Sequence, residues 1–159
     1  MSRNSDLGLH FYMVECDKKG IVKEGAIEKD LELDFQGMLY CLAEGLTTLG
    51  KPRIYTESFA DSDRTNVYIP ENITREATTV VFTFLFTGAD RYKVYNDFVE
   101  YVSNGFHRYY DTYREKYLYF FVSESIQISE SEEYGSGPYL KLELNVQNIF
   151  GKTFDEPIK

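Results

Sequence analysis

At 159 residues the chain can bury one sizeable hydrophobic core and is too short to expect two. Carboxylates outnumber Lys and Arg 26 to 17, giving a net charge of −9, and no basic run appears. That balance argues against tight binding of nucleic acid or docking on an anionic membrane, since both rest on cations clustered against phosphates. Aromatic residues make up 16%, carried by 14 Tyr and 12 Phe with no Trp, which favours pleated, half-buried surfaces and damp interfaces.

Met1 to Leu9 is polar and lacks the basic-then-apolar pattern of a secretory signal. No apolar run approaches the roughly 20 residues of a membrane helix. Cys16 and Cys41 form no CxxC motif, and without an export signal they read as reduced thiols of a chain made in a cytoplasm.

Leu9 to Val14 is the first expected strand, ended by the polar turn Asp17-Lys18-Lys19-Gly20, and Ile21 to Ile27 could hold a short extended piece. Leu31, Leu33 and Phe35 alternate with Glu32 and Asp34, the period-two signature of a half-buried strand. Gly37 interrupts, as a bulge would, before Met38 to Leu42 resumes; a helix over Met38 to Leu46 competes, weakened by Gly37 and Gly45. Gly50-Lys51-Pro52 signals a turn, Arg53 to Phe59 reads as extended, residues 60–65 as a polar loop, and Asn66 to Ile69 as a short strand stopped by Pro70.

Thr78 to Phe86 is the strongest strand, with the apolar face Val80, Phe82, Phe84 and Phe86, and a second face mixing Thr with Val81 and Leu85. A strand apolar on both faces needs cover on both, from its own helix or from a neighbouring subunit. Asp90 is a good N-cap for a helix running to about Ser103, with positions 92, 95, 98, 99 and 102 on one face and Gly105 suited to the left-handed residue after its end. Phe106 to Tyr110 and Lys116 to Val122 form a hairpin around residues 111–115, and Ser123 to Ile128 could prolong its second strand. Glu130 to Pro138 reads as an acidic loop. Tyr139 to Gln147 alternates cleanly, with Leu140, Leu142, Leu144 and Val146 inward. Residues 152–159 read as a tail that only a partner would order. One domain over 1–159 is the economical division, with no repeat and no linker.

Candidate chemistry is sparse. The two histidines, His10 and His107, lie in a strand and an aromatic run, and no Gly-x-Ser-x-Gly elbow or Cys–His motif accompanies them. Cys16, Cys41, His10 and His107 have no metal-ligand spacing, Asp61-Ser62-Asp63 lacks the glycine of a calcium loop, and Gly135-Ser136-Gly137-Pro138 precedes a strand and carries no Lys. No catalytic, cofactor-binding or metal-ligating residue is assigned, and the chain is not expected to be an enzyme. The cluster Tyr109, Tyr110, Tyr113, Tyr117, Tyr119, Phe120 and Phe121 admits three readings: ordinary core and surface of a hairpin, a stacking platform for sugars or bases (the acidic charge arguing against bases), or a subunit interface.

Residues 67 to 148 carry a resemblance in the order of their segments: Val67-Tyr68-Ile69-Pro70, the strand Thr78–Gly88, the helix with Tyr92, Tyr95, Phe98 and Val99, the Tyr110-Asp111-Thr112 turn, the Lys116–Val122 strand and the closing Tyr139–Gln147 strand. In that order the stretch, half the chain, resembles the phage tail-tube fold shared by tail-tube subunits and the N-terminal domain of distal tail proteins. The resemblance implies a mostly β, α+β fold: an antiparallel β-sandwich or barrel-like sheet with one flanking helix at about Asp90–Ser103. Met1 to Asp30 departs from the family's pattern and could be an added arm. The resemblance also implies a virion subunit, assembled in a bacterial host's cytoplasm, that closes with further copies into a ring and meets neighbouring tail proteins. DNA passes through the ring's lumen without tight binding, and neither membrane nor cofactor is involved. Assembly contacts are then expected at Val81, Leu85, Tyr117 and Tyr119, with Glu124 and Glu143 as candidates to line the lumen. The alternative is a monomeric β-sandwich module that holds a carbohydrate or peptide on the Tyr-rich hairpin.

Overall fold

The structure is a computed structural model that describes residues 4–58, 65–68, 74–131 and 138–159. A short 3₁₀ turn (Asn4–Leu7) leads to β1 (Phe11–Cys16), β2 (Lys29–Asp30), a single helical turn α1 (Leu31–Asp34) and β3 (Met38–Glu44). There follow β4 (Tyr55–Ser58), β5 (Thr65–Tyr68), β6 (Thr78–Thr87) and the helix α2 (Arg91–Ser103). The chain closes with β7 (Phe106–Asp111), β8 (Lys116–Val122), β9 (Gln127–Ser131) and β10 (Tyr139–Asn148).

One antiparallel sheet runs β2-β1-β7-β8-β10-β6-β3, with β9 paired to β10 as its eighth strand, while β4 and β5 form a separate ribbon. The fold is therefore α+β and mostly β, with one full helix. In place of two packed sheets there is a single sheet that curls. Phe11 on β1 and Tyr40 on β3, far apart in strand order, stack with ring centroids 3.9 Å apart.

The centre is the β6–β10 pair. Leu140, Leu142, Leu144 and Val146 lie opposite Phe86, Phe84, Phe82 and Val80, and all eight are buried. Strict alternation puts both apolar sets on the concave face, where burying each such side chain is worth about 1.5–3 kcal/mol. Helix α2 covers that face. Phe98 is wholly buried and meets Phe84 at 5.0 Å and Phe35 at 5.4 Å, both edge-on. Tyr92, expected on the buried face, lies outside it and donates its hydroxyl to Glu130 Oε1 at 2.8 Å. Asp90 stands at the N-cap without a side-chain cap bond, and Gly105 takes the left-handed conformation (φ +74°) past the helix end.

Four expectations change. Leu31, Leu33 and Phe35 belong to a helical turn and its exit rather than a strand: Leu31 and Phe35 are buried, while Leu33 is 45% exposed. An i, i+4 pair facing inward is the helical period, which three alternating residues cannot distinguish from period two. The described part of 1–30 is no projecting arm, since β1 is paired to β7 on one side and to β2 on the other. The tail is held by its own chain: Tyr117 and Phe154 exchange two backbone hydrogen bonds of 2.8 and 2.9 Å, and Lys116 pairs with Asp155. Residues 123–126 break between β8 and β9, so the latter is a new strand on β10 and not an extension of the hairpin. The expected loop at 60–65 (save Thr65, which opens β5), Pro70 and the centre of the acidic loop lie outside the described residues.

The free side of β3 is closed by side chains. Glu32, buried in α1, accepts from Tyr40 N at 3.0 Å, Asn4 N at 2.8 Å and Asn4 Nδ2 at 2.6 Å, and that same Nδ2 donates to Tyr40 O at 2.9 Å. An edge strand is thereby blunted against pairing with another chain at this point.

Candidate functional site

The titratable groups are scattered. His10 Nδ1 sits 2.7 Å from Asp30 Oδ2 at the start of β1, while His107 lies near the other end of the β1–β7 pair, opposite Glu15. His107 is buried between Tyr101 and Phe120 with Nδ1 unpartnered, and burial holds its imidazole below the ordinary 6.5. Cys16 is enclosed, and burial pushes its thiol up to about 12, so it stays neutral and makes a poor nucleophile. Cys41 is open to solvent on β3, though partial burial of its thiol raises that pKa too.

Asp111, wholly buried, accepts from Tyr109 Oη at 2.9 Å and from Arg114 Nη1 at 3.0 Å, and Arg114 also reaches Tyr40 Oη at 3.4 Å. Burial raises the Tyr109 hydroxyl well above 10, which keeps it a donor to the carboxylate. This satisfied network locks the hairpin turn. Among the described residues, no cluster of three or more His, Cys, Asp or Glu converges as a metal centre requires.

The expected contact residues divide. Leu85 lies on the outer face of β6 beside Leu39 of β3, and both are shut from solvent within the single chain. Val81 on that face is half-buried, and Leu42, opposite Thr83, is 45% exposed. Tyr119 points to the outer face of β8 but is covered by the chain's own tail. Its ring meets Phe150 and Phe154 edge-on at 5.7 and 5.5 Å, and its hydroxyl accepts from Ile158 N at 2.8 Å. Tyr117 stays half-exposed in a row of aromatic neighbours: its ring lies 4.6 Å from Tyr110, which lies 6.4 Å from Tyr12. Arg108 stacks over Tyr117 and pairs with Glu28 at 3.0 Å.

Two concavities flank β10. A polar groove of ≈ 610 Å³ on its outer face is lined by Glu124, Glu143, Lys141 and Asn145 with serines of the β8–β9 connection. It brings together the two carboxylates singled out for a lumen. A second cleft of ≈ 540 Å³ lies past the C-terminal end of β10, with walls of Ile149, Phe150, Phe154 and Ile158 and with Arg53, Arg75 and Lys152 around them.

The second cleft is rigidly built. Arg53 N donates to Thr74 O at 2.9 Å, Glu76 N to Lys51 O at 2.9 Å, Gly50 N to Gly151 O at 2.7 Å, and Arg75 Nη1 to Gly50 O at 2.9 Å. Asn148 Nδ2 donates to Lys152 O at 3.3 Å, tying the turn after β10 to the strand. Three segments cross at the Glu76 carbonyl so closely that a Cβ on Gly50 or Gly151 would sit 1.8 or 2.1 Å from its oxygen.

Comparison with known families finds no matching family model, and comparison with curated proteins finds no match.

Arg53, Arg75 and Lys152 are the residues that pattern reading passed over. They sit in three separate segments that the crossing at Glu76 and the Pro52–Arg75 bridge bring together. Their one linear signal is the Gly50 and Gly151 pair, whose need becomes visible once both are seen against the same carbonyl.

Proposed function

We propose that this chain is a structural subunit of a phage or prophage tail, of the tail-tube or distal-tail type, that assembles with further copies into a ring around a DNA-conducting lumen. The observation that carries the reading is the arrangement of the resembling stretch. Its strand β6, helix α2, hairpin β7–β8 and closing strand β10 build one curled antiparallel sheet with a single helix against it. That arrangement agrees with what the resemblance implies.

The charge is in keeping with the reading. A lumen of net negative potential lets phosphates slide, because it offers no cations whose binding would release counterions. Glu124 and Glu143, which both line the polar groove, are the carboxylates assigned to it. Assembly contacts are assigned to Val81 with the neighbouring exposed Leu42, and to Tyr117, whereas Leu85 and Tyr119 are filled by the chain itself. The reading places the protein in the virion tail and gives it neither catalysis nor cofactor.

Light scattering after size exclusion, with electron microscopy of concentrated protein, tests it. Rings or tubes that Leu42→Lys and Val81→Lys abolish, with the variants folded, are the expected result. A strict monomer at every concentration would refute the proposal.

The Tyr12, Tyr110 and Tyr117 row favours a second reading, a stacking strip for a carbohydrate or peptide. Glycan-array binding lost on Tyr117→Ala would support it, and a blank array would end it for carbohydrates.

A further inference from the structure

We infer that the cationic cleft past the end of β10 receives the acidic, aromatic segment 129–137 of a second copy of this chain, an inference that rests on the assembly reading. The cleft stands out by charge. In a protein of net charge −9, Arg53, Arg75 and Lys152 converge on one concavity, and none of the three pairs with a carboxylate among the described residues. Its apolar lining, Phe150, Phe154 and Ile158, suits a side chain with an aromatic ring. Lys152 Nζ already lies 4.9 Å from the Phe154 ring centre, so the cation and the apolar wall are presented together.

The segment Ser-Glu-Ser-Glu-Glu-Tyr-Gly-Ser-Gly, residues 129–137, has the complementary chemistry: three carboxylates, one tyrosine and no cation. Glu130 is engaged by Tyr92 of its own chain, which leaves Glu132, Glu133 and Tyr134 as the part assigned to the cleft.

Geometry makes the contact intermolecular. Ser131 and Tyr139, paired neighbours, bound this segment at one end of β10, and the cleft begins just past Asn148 at the other, roughly 30 Å away at the strand rise. A stretch of chain anchored at both of those residues, about 25 Å long even when fully extended, is too short to span that distance and return. A segment at one end and its acceptor at the other describe a head-to-tail contact, the kind that closes a ring or continues as a tube.

The test is a fluorescent peptide of residues 129–137 titrated into the dilute full chain by anisotropy. Saturable binding is expected, weakening with salt and falling about tenfold or more for Arg53→Glu with Lys152→Glu. Both substituted residues are exposed, and circular dichroism is the check that the double variant is folded. A peptide with Gln at 132 and 133 should bind as weakly as the variant pair. No saturable binding, or equal binding by the double variant, overturns the inference. The assembly reading fails separately. Rings from a chain that ignores the peptide would sink the cleft assignment alone. Peptide binding by a chain that stays monomeric at all concentrations would overturn the second-copy occupant and the assembly reading together.

Discussion

Replacing Glu32 by Ala is expected to destabilise the fold by about 2–6 kcal/mol. Among the described residues the buried carboxylate serves donors on Asn4 and Tyr40, and its loss falls unequally on them. Tyr40 N–H lies in a buried residue and is left without its acceptor, at about 1–3 kcal/mol. Asn4 is only partly buried, so its two donors regain water and cost about 0.5–1.5 kcal/mol each. Against a typical total of about 5–15 kcal/mol, the change is large, and at this size it lowers Tm by about 4–24 °C. Urea unfolding with a constant m-value measures it. Glu32→Gln keeps the volume and one acceptor oxygen and should fall between wild type and Glu32→Ala. The alanine variant should also aggregate with rising concentration, because the β3 edge at Tyr40 loses its cover. A loss below about 0.5 kcal/mol with unchanged solubility would refute the capping role, since that is the range of ordinary surface substitutions.

Gly50→Ala is expected to cost about 3 kcal/mol or more by urea unfolding, because its Cβ would stand 1.8 Å from a Glu76 carbonyl that neighbouring hydrogen bonds hold in place. Gly88→Ala, at a left-handed residue with open space around it, should cost about 1 kcal/mol and serves as the comparison. For His107, burial depresses the folded-state pKa, so below about pH 6.5 the unfolded chain binds the proton more readily. Its contribution is present above 6.5 and is lost as pH falls through 6.5 towards the lower folded value. Stability measured at pH 7.5 and 5.5 should fall further for wild type than for His107→Phe, and equal falls would refute the assignment.

Strands β6 and β10 were legible because each alternates apolar residues over its whole length, a pattern no helix shares. Helix α2 was legible from its spacing, although Tyr92 fits the apolar stripe and lies outside it, since an aromatic ring with a hydroxyl is as well placed on a wet rim. The turn at Leu31 was misread because three residues fit two periods, and only the exposure of Leu33 separates them. Glu32 gave no sign of burial: a charged side chain among charged neighbours reads as solvent-facing until Asn4 and Tyr40 are seen around it. Tyr119, which the resemblance puts at a contact with another copy, is covered by residues 150–158 of the same chain, a packing that spacing along the hairpin does not show.

The pairing of β6 with β10 has a consequence for how the chain reaches this state. At about 5–20 residues per second, ribosomal synthesis takes roughly 3–10 s to travel from Thr87 to Tyr139. During that interval Phe82, Phe84 and Phe86 lack the strand that completes their side of the sheet, and β1 has likewise waited for β7. Contacts of such long sequence separation fold slowly. A nascent chain of this design spends seconds as an open, aromatic-rich ribbon, the state in which holding chaperones bind and premature association between copies begins.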